Sequence, residues 1–161
     1  MIESIKRNLT WRAIPIAGLV AGTAFLLVGV LPMLPVLQVN GAVMLSYMAS
    51  LVLGSSAVTD SSTGVLLTGI VVHYVLSILF AFVIAVVVHR WGLVVGIALG
   101  AVMGLALYGI NLYTMTRIFD WFPAVNSPLL LLSHVMYGAV AGGVYELFDH
   151  YDTPLTQEPV L

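Results

Sequence analysis

Cysteine is absent, which excludes disulfides, cysteine-ligated zinc and iron–sulfur clusters. Charge is nearly absent too. Only 7% of the 161 residues are Asp, Glu, Lys or Arg, against about 25% in an ordinary soluble domain. None falls within 13–59, 61–89, 91–116 or 121–145. Each of these gaps is long enough to cross a ~30 Å hydrocarbon layer as a helix. A net charge of −2 with no basic cluster in the body of the chain excludes nucleic acid as a partner. A nucleophile–base pair, a phosphate-cradling loop and carboxylates at metal-ligand spacing are also missing, so nothing points to an enzyme or a metal site.

What is present is apolar: 61% of the chain is hydrophobic. A small soluble protein has too much surface to be this one-sided. The expectation is an all-α membrane protein in the lipid bilayer, a single domain over residues 1–148 with an acidic tail at 149–161. The N-terminus has the basic start of a signal peptide, but the apolar run from Ala13 to Leu37 is too long for a signal core and reads as a helix. Four spans are predicted, at roughly 14–36, 64–89, 92–114 and 128–148. Asp60, Ser61, Ser62 and Thr63 offer cap oxygens to the second, and Pro128 suits the first turn of the fourth.

Residues 41–57 are apolar but short, and they carry Ser46, Ser50, Ser55 and Ser56. Orientation decides their reading. If they cross, Arg90 lies opposite Lys6, Arg7 and Arg12. If they return, these four basic residues share one side and only Arg117 lies opposite, as the positive-inside rule prefers. The prediction is therefore four transmembrane helices with cytoplasmic N and C termini and a re-entrant or interfacial segment between the first two.

The third helix carries Gly92, Gly96, Gly100 and Gly104 at four-residue intervals, with Tyr108 next in the row. In lipid this spacing makes a groove in which another helix lies backbone to backbone. Gly138 and Gly142 form a matching row on the fourth helix. Gly18-Leu-Val-Ala-Gly22 resembles Gly92-Leu-Val-Val-Gly96, which hints at two tandem hairpins.

Polar residues inside spans are the places to look for function, since lipid disfavours them. His73 lies about nine residues, ~14 Å, from the outer end of its helix, and His134 about six residues, ~9 Å. Tyr108, Asn111 and Tyr137 have comparable depth. This cluster reads either as a pocket for a cofactor, ion or quinone, or as an interhelical hydrogen-bond network worth ~0.6 kcal/mol per bond. Four histidines also raise a b-type haem. The 16-residue spacing of His73 to His89 and of His134 to His150 rotates an ideal helix by about 160°. That turns each second histidine away and leaves at most one haem between His73 and His134. Glu146, near the inner end, reads as an interfacial carboxylate.

Gly104-Leu-Ala-Leu-Tyr108, Asn111-Leu-Tyr113, Phe119-Asp-Trp121-Phe122, Ser133-His134, Tyr137-Gly138 and His73-Tyr-Val-Leu-Ser77 together resemble a group of small bacterial four-helix inner-membrane proteins of unknown function. These often carry a sodium:proline symporter label. True symporters of that class are far longer and contain broken-helix repeats that this sequence lacks. The resemblance implies a topology and a bacterial inner membrane, not an activity.

Three functions follow as expectations. The first is a non-catalytic accessory or structural subunit of a larger membrane complex of respiratory or photosynthetic type, docked to other membrane protein subunits through small-residue faces. The second is a small oligomeric channel or transporter using the outer-half polar site. The third is an electron carrier binding haem or quinone.

Overall fold

The computed structural model describes residues 9–38, 40–123 and 126–152, apart from the side chains of Met33 and of residues 150–152. Residues 1–8 and most of the predicted tail, beyond residue 152, lie outside them. All secondary structure among the described residues is helical. Four helices are long and apolar enough to cross a membrane: Ala13–Val30, Thr63–Val88, Leu93–Ile118 and Pro128–Asp149.

Helix α1 covers residues 13–37. It is α-helical over Ala13–Ala24, widens into a π-helical stretch at Phe25–Val30, and resumes at Leu31–Leu37. The irregularity has a local cause. Pro32 and Pro35 have no N–H to donate to the preceding turn, so the ladder around them cannot stay regular. The helix stops at Gln38, in the left-handed region at φ 55°.

Helix α2 (Gly41–Leu53) is capped by Asn40, whose Oδ1 accepts the Val43 N–H at 3.0 Å. A 3₁₀ turn at Ser55–Thr59 leads into α3 (Thr63–Val88). Ser62 holds the cap position of α3 without a side-chain bond, and the turn before it is fixed by Asp60 Oδ1, which accepts the Ser62 N–H at 2.7 Å. Helix α4 covers residues 93–118, with a second π-helical stretch at Ile110–Met115. Helix α5 is Pro128–Asp152. Both α4 and α5 outrun the predicted ends at 114 and 148.

α1 and α3 are antiparallel: Trp11 stacks on Phe82 with ring centres 5.9 Å apart, Gly18 faces Ile78, and Thr23 Oγ1 meets the Tyr74 hydroxyl at 3.0 Å. Residues 38–62 therefore begin and end at the same end of the bundle and cannot be a fifth span. α2, 13 residues long, reaches only ~20 Å at 1.5 Å per residue. The returning chain is tied to it by Ser46 Oγ, which donates to the Asp60 carbonyl at 2.8 Å.

The opposite end gathers the start of α1, the inner part of α5 that ends at Asp149 and the α3–α4 turn. The Thr10 N–H donates to the Tyr145 hydroxyl at 3.2 Å, Thr10 Oγ1 donates to Asp149, and the Gly92 N–H donates to Glu146 Oε2 at 3.1 Å. Arg12 and Arg90 thus share one end, and Arg117 lies at the other.

α1, α3 and α5 pack against one another, and α4 leans on α5, its most extensive neighbour. The α4–α5 contact is glycine on glycine. A Cβ on Gly100 would stand 2.2 Å from the Gly138 carbonyl oxygen, and one on Gly138 would stand 2.0 Å from the Gly100 oxygen. Gly96 meets Gly142, and Gly104 meets the His134 carbonyl, in the same way. Gly96, Gly100, Gly104 and Tyr108 form the predicted buried row. Gly92 does not belong to it. It precedes the helix at φ 83°, and its added Cβ would meet nothing within 4 Å. The four-residue spacing runs one step beyond the helix.

Candidate functional site

In the half of the bundle nearer α2 and the α4–α5 loop, called the outer half here by its place in the bundle and the other the inner half, the helices part around two adjoining cavities, of about 90 and about 170 Å³. They share Phe25, Met48, His73, Asn111, Phe122 and His134 as walls. The cleft exists because α3 and α4 touch little while each is held elsewhere, α3 by α1 and α2, α4 by α5.

Both π-helical stretches face it. Phe25, Leu26 and Val30 come from the first, and Ile110, Asn111, Leu112 and Met115 from the second. Single π turns recur at functional sites because the widened turn re-aims side chains that a regular helix would point elsewhere. The roof comes from the α4–α5 loop. Trp121 Nε1 donates to Ser50 Oγ at 3.2 Å, and Phe122 meets Tyr47 edge-on at 6.1 Å between ring centres. The outer aromatic cluster thereby ties α2 down over the cleft.

His73 and His134 are 7% and 6% exposed, and both line both cavities. They do not bond to each other; Phe25 packs against both, 5.9 Å from the His73 ring and 5.0 Å from the His134 ring. His134 Nδ1 lies 2.8 Å from the Leu130 carbonyl and Nε2 lies 2.7 Å from Asn111 Nδ2. A carbonyl only accepts, so Nδ1 carries the proton and Nε2 accepts from the Asn111 amide. His73 Nε2 lies 3.1 Å from the Gly22 carbonyl and donates to it by the same logic.

Of the other predicted residues, Tyr108 contacts the His134 ring at 5.6 Å but donates to Asn126 Oδ1 at 2.9 Å. Tyr137 donates to the Ser77 carbonyl. Its bond pins α5 to α3 at the cavity floor.

All five predicted polar residues therefore border the cleft, as one bonded pair, Asn111 with His134, and three links to helix backbone or loop. An axial haem pair is not built here. His134 has both ring nitrogens engaged, and Phe25 packs against both imidazoles. Among the described residues no three His, Cys, Asp or Glu side chains group as metal ligands.

Below the cleft the bundle is closed. Ala17, Ala21, Ala85 and Val88 are fully buried with Tyr145 in one core. Glu146 is buried as well, at 4% exposure, near the bundle end where it accepts the Gly92 N–H. Its chain crosses the gap left by Gly96, where a Cβ would come 2.5 Å from Glu146 Cγ. Its Oε1 is enclosed without a partner.

The sequence gives no signal for Phe25, one apolar residue among many, or for the burial of Glu146, which depends on the opposing glycine. Compared with family models, characterised proteins and solved structures, the chain matches none.

Proposed function

We propose that this chain is a non-catalytic accessory protein of the bacterial inner membrane that holds the head of an amphipathic, membrane-soluble molecule in its outer-half cleft. The observation that carries this reading is the convergence of two π-helical stretches on an apolar cavity tipped with two imidazoles and an amide. Apolar walls with a few fixed polar groups are the usual make-up of a small-molecule site. The limited α3–α4 contact gives entry from the lipid. Arg12 and Arg90, at the end where α1 begins, support a cytoplasmic position for that end.

The closed inner half speaks against a channel through one protomer. A role as a docked subunit draws no support from the glycine rows, because Gly18, Gly22, Gly96, Gly100 and Gly104 are used against helices of the same chain.

Mass spectrometry of apolar extracts from detergent-purified protein tests the reading. The wild type should retain a hydrophobic molecule in stoichiometric amount, and Met48→Trp, which fills the wall shared by both cavities, should lose it. Extracts of identical composition from the two proteins refute the site.

A further inference from the structure

The unspent hydrogen-bonding capacity of the cleft identifies the head group that fits. This step rests on the binding reading above. The walls of both cavities contain no Asp, Glu, Lys or Arg. A phosphate, carboxylate or ammonium head would lose its hydration there with no counter-charge to replace it. The ligand's head is therefore uncharged.

Four of the polar groups at the cleft are already spent, wholly or in part. Tyr108 and Tyr137 give their hydroxyl protons to Asn126 and to the Ser77 carbonyl. His134 uses both ring nitrogens, one of them on an Asn111 N–H. What is left is complementary. With its proton held on Nε2 by the Gly22 carbonyl, neutral His73 offers Nδ1 as a bare acceptor. No described group donates to it, and it is not sealed off as Glu146 Oε1 is. Asn111 retains its second amide N–H and its Oδ1, because its bond to His134 uses only one N–H. The His73 Nδ1 acceptor on α3 and the Asn111 N–H donor on α4, both lining the cleft, match a hydroxyl group, which donates to the first and accepts from the second.

We propose that the cleft selects a long-chain alcohol: an apolar chain lying between α3 and α4, with its hydroxyl between His73 Nδ1 and the Asn111 amide. A ketone or ether satisfies Asn111 alone. A hydrocarbon satisfies neither.

Dodecanol, dodecyl methyl ether and dodecane, titrated into the full chain in nanodiscs, separate these cases. The wild type should bind dodecanol about tenfold more tightly than the ether, the factor expected for one net hydrogen bond. The preference should fall to within about twofold in His73→Leu, with dodecane binding unchanged as evidence that the cavity survives. If His73→Leu does not fold, Asn111→Leu serves instead: it should weaken alcohol and ether alike and leave dodecane unaffected. Equal binding of alcohol and ether to the wild type overturns the hydroxyl assignment but leaves the pocket standing. So does an alcohol preference that survives in His73→Leu. Failure of all three molecules to bind overturns the pocket itself.

Discussion

The inner and outer halves of this bundle are made of the same helices and differ in what stands between them. In the inner half, glycine and alanine let helix backbones touch: Gly100 and Gly138 approach until each carbonyl occupies the place of the other's missing Cβ. In the outer half, Phe25, His73, His134 and Phe122 hold the helices apart, and two π-helical stretches bend the walls around a cavity. Lipid tails are as apolar as leucine, so helices associate in a bilayer through close packing and hydrogen bonds rather than by escaping water. The inner half relies on the first means; the outer half keeps it at Gly29 and Gly69, which press on Ser133 and Leu45, and adds the second around the cleft. A cleft opens where packing gives way to bonding.

The comparison breaks most sharply at Gly100→Leu. Its Cβ alone would lie 2.2 Å from the Gly138 carbonyl oxygen, and the remaining side-chain carbons need room that only separation of α4 from α5 provides. Overpacking of this kind costs about 2–3 kcal/mol, read as a lowered midpoint in detergent unfolding. A variant as stable as the wild type would mean that the inner half is not held by backbone contact.

The same contrast sets what the sequence made legible. The inner half is visible because four-residue spacing is a geometric signal, and Gly96, Gly100, Gly104 and Tyr108 are buried as that spacing requires. The error at Gly92 comes from the same rule, since spacing does not mark where a helix begins. The outer half is visible only as a set of polar residues at similar depth. His73, His134, Tyr108, Asn111 and Tyr137 do meet at one cleft, yet their partners include the Gly22, Leu130 and Ser77 carbonyls. A backbone carbonyl has no sequence signature. Nor does a π turn, which shifts a hydrogen bond by one residue without changing composition. The burial of Glu146 depends on an absent side chain at Gly96, a pair that only the α4–α5 register brings together.

Gly92→Ala should have a smaller effect, by a different route. Gly92 sits at φ 83° and ψ 163°, a region that side-chain-bearing residues enter at a cost of about 1–3 kcal/mol. Its added Cβ would meet no neighbour, so any loss is backbone strain and not packing. The turn it serves is clamped from α5 by Glu146. A loss of about 2 kcal/mol is expected in Gly92→Ala, and Gly92→Leu should lose little more. A leucine variant far less stable than the alanine one would place a helix against this turn.

The smallest expected effect has the opposite sign. Gly109 lies on the same helix as Gly100, two turns or so further out and next to the π-helical stretch, and a Cβ there would meet nothing within 4 Å. With no backbone pressed against it, glycine contributes only flexibility, and alanine is the better helix former by up to about 1 kcal/mol. Gly109→Ala should therefore leave the unfolding midpoint unchanged or raise it slightly, while Gly100→Leu lowers it. If Gly109→Ala is instead clearly destabilising, the outer half of α4 is packed as tightly as the inner, and the helices are not parted there. The cleft would then have no way in from the lipid, and the binding reading would lose its entrance before any ligand was tried.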